Sequence, residues 1–386
     1  MKQFNTVFNQ LLDIVPYEQF KRTVGQHKSD WKIQKLDTWN HFVILLYAQA
    51  LGRDSLREIE TGLSLHQNLW HHLGINTVAR STLARMNSKR NSIVFEKIFY
   101  ATLSDRKLYA GERAFTFPNE LYALDSTSIE LCLKMFDWAK FRKEKGAFKL
   151  HTLFDVRSQI PIVIEGTNGL VSDIKQARQM EVSLPAGSIL VFDRGYLDYS
   201  WWKELQDRGY FFVTRPRRNT LCIVSKTGEN LEKDILGDDS VWIGDVQNPL
   251  YPREMRRVRY LHPLYGELVF LTNNFTLTAS EISLIYKNRW QIELFFKWIK
   301  QNLVIKSFLG TSKNAVMNQI WVAMTYYLIV SYLKFQTRYQ GSVLELTWVL
   351  KECLLTRRSL IDLLSFTPQT LTKIPKAEFI ENLTMF

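Results

Sequence analysis

The segment "SILVFDRGY", residues 188–196, constrains the fold most. Its apolar run, Ile189 to Phe192, is too short for a helix and stops dead at Asp193, with helix-like stretches "DIKQARQME" before it and "SWWKELQDRG" after it. A short apolar run so bounded reads as a buried strand. "YFFVTR" follows as a further strand, while "GAFKLHTLFDV" and "IPIVIEGTNG" upstream read as two strands joined by a hairpin-like turn at "RSQ". Strands in a row, then strand, helix, strand, predict a mixed α/β sheet and exclude a pure helical bundle.

"ELYALDSTSIELCL" (120–133) reads as two strands around a turn at Asp125 to Thr127. Asp125 then follows "LYAL" as Asp193 follows "ILVF", each at the end of an apolar strand, where open sheets commonly bind ligands. Taken singly, a turn or cap role explains either aspartate equally simply.

Residues 1 to about 115 read as helical. "TWNHFVILLYAQAL" is a largely apolar helix, and "DSLREIETGL" opens on a capping residue with Leu56, Ile59 and Leu63 at helical spacing. A connection through "HHLGIN" leads to a basic helix carrying Arg80, Arg85, Lys89 and Arg90. Short helix, turn, basic helix is the pattern of a helix-turn-helix DNA reader; a solvated helix of a bundle has the same pattern. From 216 to 274 the chain reads as short strands, with "RPRRN" contributing Arg215, Arg217 and Arg218 and "YPREMRRVRY" contributing Arg253, Arg256, Arg257 and Arg259 against one glutamate. Crowding of one charge sign points to a phosphate backbone as its partner.

The chain then returns to helix, and "YKNRWQIELFFKWIK" (286–300) mixes aromatics with charge. At 100° per residue Tyr286, Arg289, Glu293 and Lys300 fall within one stripe about 60° wide, beside an apolar face formed by Ile285, Ile292, Phe296 and Ile299. Trp290, Leu294, Phe295 and Trp298 continue the apolar surface on the other side, so the helix is expected to be packed on most of its circumference. Arg289 precedes Glu293 by four residues, so a structural ion pair is one reading. The other joins Glu293 to Asp125 and Asp193 as a hard, oxygen-rich site for Mg²⁺, with Mn²⁺ able to substitute. Two such ions suit in-line attack at phosphorus.

These residues resemble the DDE transposases of bacterial insertion sequences, in the group whose third catalytic region carries tyrosine, arginine, glutamate and lysine at this spacing. Tyr286, Arg289, Glu293 and Lys300 match with every gap in place, "LDST" supplies Asp125 and "FDRGY" supplies Asp193. The resemblance implies Asp125, Asp193 and Glu293 as catalytic and metal-binding residues. It implies an α/β fold: an RNase H-like mixed-sheet catalytic domain (116–215 plus 275–333) interrupted by a β-rich insertion (216–274). A helical DNA-end-binding region (1–115) and a helical C-terminal region for dimerisation (334–386) would flank it. Tyr286, Arg289, Lys300, Arg194, Lys149 and His151 become candidates for contacting or positioning DNA phosphates. In hairpin-forming members a tryptophan of the insertion receives a flipped base, and Trp242 stands alone in 216–274.

The activity so implied is metal-dependent cleavage at terminal inverted repeats and strand transfer of 3′-OH ends into target DNA, cut-and-paste through a hairpin intermediate. A metal-dependent nuclease without strand transfer, or a DNA-binding protein with a degenerate centre, are the alternatives. Expected partners are double-stranded DNA, both element ends and target, and a second copy of the chain in a homodimeric synaptic complex. No nucleotide cofactor is expected, since transesterification conserves the phosphodiester and no GxxxxGK loop is present. Net charge of +12 is consistent with a polyanionic partner. Cys132, Cys222 and Cys353 lie far apart with no CxxC spacing, which argues against a zinc ribbon or a disulfide scaffold. No signal peptide is evident and the run 320–333 is too short to span a bilayer, so the expected location is cytoplasmic, with no membrane partner.

Overall fold

The computed structural model describes residues 5–69, 73, 75, 78–104, 115–131, 140–142, 145–180, 183–229, 231–245, 247, 249–302 and 308–365. The chain divides into two compact units, Met1–Leu108 with Asn302–Phe386, and Tyr109–Gln301. The first opens with helices α1 (Val7–Leu12), α2 (Tyr17–Gln26), α3 (Thr38–Leu51), α4 (Leu56–Leu65), α5 (Arg80–Lys89) and α6 (Ile93–Leu103). Asp37 caps α3 by accepting from the Asn40 amide at 2.7 Å, and Gly52, at φ 65°, ends it in the left-handed region where glycine carries no Cβ penalty. Nearly every α3 side chain is buried, as its largely apolar sequence predicts.

The second unit is a sheet flanked by helices. Its elements are strands β1 (Leu121–Leu131), β2 (Lys140–Arg142), β3 (Lys145–Asp155) and β4 (Ile160–Asn168), helix α7 (Asp173–Gln179), strand β5 (Ile189–Phe192), helix α8 (Tyr199–Asp207), and strands β6 (Phe211–Thr214), β7 (Cys222–Thr227), β8 (Ile235–Ile243), β9 (Met255–His262) and β10 (Gly266–Thr272). Helices α9 (Ala279–Asn288) and α10 (Trp290–Asn302) follow. The strand path is β2-β3-β1-β5-β6-β10-β9-β8-β7, with β4 also paired to β3. β1 is antiparallel to β3 and parallel to β5, and β5 is parallel to β6.

Two local expectations change. β1 runs unbroken through Asp125, which pairs with Thr152, so no turn divides 121–131; residues 132 and 133 of the expected second strand lie outside the described residues. Pairing with β3 from Tyr122 to Leu131 satisfies the backbone more fully than a local Asx or Ser turn would. The strands of 216–274 continue the same sheet through the β6–β10 pair, Leu271 with Thr214 and Thr272 with Val213.

Helices α11 (Lys313–Gln336), α12 (Val343–Cys353) and α13 (Leu360–Ser365) complete the first unit. α11 packs on α3, α5 and α6 and is buried along almost its whole length. The expected catalytic segment 275–333 is therefore split between the two units near residue 302. Among the described residues no helix is long and apolar enough to cross a membrane. Cys222 and Cys353 are free thiols; Cys132 lies outside the described residues.

Candidate catalytic centre

Asp125 and Asp193 stand on neighbouring parallel strands. The β1–β5 register pairs Leu124 with Phe192, so each aspartate is the next residue along its strand, one strand spacing of about 4.8 Å apart at the backbone. Asp193 leaves β5 as the cap of a short 3₁₀ turn, accepting from the Gly195 amide at 2.8 Å. Glu293 comes from the first turn of α10.

Arg289 joins them. It is the single residue between α9 and α10, it keeps helical torsions, and it is buried. Its Nη1 donates to Asp125 Oδ2 at 3.3 Å and its Nη2 to Glu293 Oε1 at 2.5 Å. The Tyr286 ring lies 5.7 Å from the guanidinium and packs on Phe270 at 4.9 Å. The capping box of Thr278 and Glu281 sets the start of α9 and so the phase of this helix pair. The structural ion pair with Glu293 forms, and the same guanidinium also reaches Asp125.

Electrostatics single out Asp125. Burial pushes its carboxyl up to about 7; Arg289 and the Ser126 amide pull it down, while Asp193 and Glu293 push it further up. The three acids thus feel one another across 168 residues of sequence, from Asp125 to Glu293. Burial also raises the Tyr286 phenol and lowers Arg215, which lies beside Tyr286 with Arg194 near it.

A fourth acid escaped the sequence analysis. Asp173, in the first turn of α7, accepts from Ser126 Oγ at 2.5 Å and pairs with Lys149 at 2.8 Å. His151 Nδ1 stands 3.5 Å from the same carboxylate, too far for a good hydrogen bond, while Nε2 meets Thr167 Oγ1 at 2.9 Å. Burial lowers the His151 imidazole to about 4, so it is neutral at pH 7 and the contact with Asp173 is not an ion pair. The Tyr196 phenol is pushed well up, chiefly by burial and then by Asp125, Asp173 and Asp193. An aspartate opening a helix looks like a cap in sequence, so only the position of α7 against β3 marks Asp173.

Other candidates fare differently. Lys300 is exposed on the last turn of α10, and among the described residues no hydrogen bond or ion pair ties it to the carboxylates. Trp290 and Leu294, expected to be packed, are exposed because α10 buries only one side, through Ile292, Phe295, Phe296, Trp298 and Ile299. Arg217 and Arg218 are exposed, and Trp242 is half-buried in β8. The arginines of β9 are not unpaired: Arg256 grips Asp238 at 2.7 and 2.6 Å, Arg257 donates to Asp239 at 2.7 Å, and Arg259 lies 3.7 Å from Glu267. Arg253 donates to Asp207 at 3.0 Å. The charge crowding existed only along the sequence, because strand pairing brings the acids of β8 alongside β9. Arg80, Arg85 and Lys89 are exposed on α5, whereas Arg90 is buried with its guanidinium on the Leu36 carbonyl at 2.9 Å.

Among the described residues no group of three or more His, Cys, Asp or Glu side chains is arranged to hold a metal ion; the cation shared by Asp125 and Glu293 is Arg289. The chemistry of the donor set nevertheless fits a hard divalent ion: carboxylate oxygens only, one of them so poorly neutralised that burial holds its proton to about 7.

An α/β fold that brings one strand acid and one helix acid onto a buried arginine, with a second acid at the end of the adjacent parallel strand, defines a class of acid-clustered α/β proteins. The chain belongs to the transposase DDE domain family, whose model matches residues 116–329. A protein of Sinorhizobium fredii named as a transposase is 33% identical over 285 residues, spanning 72% of this chain and 78% of its own. A protein of Geobacillus stearothermophilus named for the transposase of insertion sequence element IS5377 is 28% identical, spanning 60% of this chain and 61% of its own. A model described as a domain of unknown function matches residues 3–76. Among solved structures, the cryo-EM structure of the piggyBac transposase synaptic complex with hairpin DNA aligns at 9% identity and TM-score 0.44, over 98% of this chain and 86% of that one.

Proposed function

We propose that this chain cuts DNA at the ends of an insertion sequence and joins the freed 3′ ends to target DNA, with Asp125, Asp193 and Glu293 as the catalytic carboxylates. The observation that carries this reading is the convergence of Asp125 and Glu293 on Arg289, with Asp193 in register beside Asp125. The sheet supports an RNase H-like core: β4-β3-β1-β5-β6, with β3 antiparallel to its neighbours and β1, β5 and β6 parallel.

Asp125, Asp193 and Glu293 would hold two Mg²⁺ ions, which supply charge neutralisation and a lowered pKa for the attacking hydroxyl. The chain's own residues do the rest. Asp125 would hold a cation as a carboxylate, and burial, which raises its carboxyl to about 7, opposes that form until a cation offsets the charge. With the carboxylate charge met by a bound cation, Arg289 would be available to face a phosphate, with the Tyr286 ring beside its guanidinium. Arg215 and Arg194 lie on the same side and would offset the charge of the scissile strand. The protein would act as a homodimer on two element ends, and the second strand would be opened through a DNA hairpin.

The test is strand transfer. A precleaved element end incubated with supercoiled plasmid and Mg²⁺ should yield joined product with wild type and none with Glu293→Gln. Cleavage without joining would instead make the protein a nuclease. A denaturing gel of the excision reaction checks the hairpin, which runs at twice the length of the single strand.

A further inference from the structure

The helical unit contains a groove of about 900 Å³ between the loop that follows α2 and one side of α5. Lys28, Lys32 and Lys35 line one wall, and Arg85 and Lys89 the other. All five are exposed, and no aspartate or glutamate lines the groove among the described residues. Five like charges facing one another across a cleft repel, so this arrangement costs stability unless a polyanion fills it.

The loop is built to keep that arrangement. Lys28 and Lys32 sit at φ 47° and 57°, in the left-handed region that side-chain-bearing residues avoid. They persist because the loop is tied from below: Arg90, almost fully buried, donates to the Leu36 carbonyl at 2.9 Å and reaches Asp30 at 3.4 Å, while Asp30 accepts from the Thr38 amide at 2.7 Å. Arg90 also lines the groove, and among the described residues its Nε has no hydrogen-bond partner. Between the two strained lysines Trp31 is 66% exposed, with each ammonium 5.9 Å from its ring. An aromatic face left in water among cations offers apolar contact to a sugar edge beside the phosphates those cations would hold.

We propose that this groove is a clamp for the sugar-phosphate backbone of duplex DNA, gripping without reading bases, and that Arg90 positions the loop instead of touching DNA. The inference rests on the DNA-processing reading above and assigns binding to the segment 27–36, ahead of the basic helix that a helix-turn-helix reader would use. A reader of base edges would lose discrimination when its residues are changed; a backbone clamp loses affinity equally for every sequence.

The experiment is a salt titration of binding to a random-sequence duplex, without divalent metal so that the DNA stays whole. Lys28→Asn, Lys32→Asn and Lys35→Gln are combined, since asparagine tolerates the left-handed region. Loss of three phosphate contacts should make the slope of log affinity against log salt shallower by about 2 to 3 and weaken binding about tenfold or more. Arg85→Gln with Lys89→Gln, on the opposite wall, should make the slope shallower by about 2. Unchanged affinity and slope in both variants, with wild type binding, would overturn the clamp and leave the catalytic reading standing. Weakening confined to one base sequence, or to single strands, also overturns it. Wild type that binds no duplex removes this inference and the DNA reading together, a result that strand transfer checks separately.

Discussion

At the residue scale, Asp125 is a carboxylate held far from its ordinary environment in water. Its carboxyl is raised from 3.8 to about 7 by burial, so between those values the folded protein holds a proton that the unfolded chain has released. Its contribution to stability is fully present below pH 3.8 and lost as pH rises through about 7. Asp125→Asn removes that penalty. Metal-free protein carrying it should be more stable than wild type at pH 8, by on the order of a few kcal/mol, and show no advantage at pH 4. His151 works in the opposite sense: lowered from 6.5 to about 4, it takes stability away as pH falls between those values. Arg289→Met should cost roughly 3 kcal/mol in the metal-free protein at pH 8, because two carboxylates lose their shared partner, and added Mg²⁺ should recover part of the loss. Calorimetric melting with and without the ion measures both effects.

At the scale of elements, strand pairing decides what a charge is for. Arg256 belongs to a four-arginine run in sequence, yet in the sheet it binds Asp238 with both nitrogens and the Leu277 carbonyl at 2.5 Å. Arg256→Ala should therefore lower stability by about 3 kcal/mol, read by urea unfolding, while leaving the salt dependence of DNA binding unchanged. Gly166 shows the same dependence on pairing. A Cβ there would stand 2.1 Å from the Phe148 ring on the neighbouring strand, so Gly166→Ala should cost about 1 to 3 kcal/mol by forcing that ring out of place. The pairing of Arg289 with Glu293 was legible from their i,i+4 spacing, because that depends on local periodicity; the three acids were singled out together only by the resemblance of their motifs to a family. Asp173, the continuity of β1 and the partners of β9 were not legible, since each is fixed by a residue far away in sequence.

At the scale of the whole molecule, one unit is a continuous stretch, Tyr109–Gln301, and the other draws on both ends of the chain. The sheet unit carries the three acids, Arg289 and its own core, so residues 109–301 expressed alone should fold cooperatively with a strand-rich circular dichroism spectrum. The helical unit needs α11, which packs on α3, α5 and α6. A fragment ending at residue 108 would expose that buried apolar surface and should be digested by protease far faster than the full chain.

Sequence by itself determined most of the strands and helices and proposed Asp125, Asp193 and Glu293 as acids, because apolar period and turn chemistry act over a few positions. Only the tertiary structure decided which charges are free. It spent the arginines of β9 and Arg90 on nearby oxygens, left Lys28, Lys32 and Lys35 facing a groove lined by no acid among the described residues, and set Asp125 and Glu293 on Arg289 with Asp193 at the end of the strand beside Asp125. The physical reason is that a charge's role depends on the distance to its counter-charge, and that distance is set by which strands pair and which helices pack.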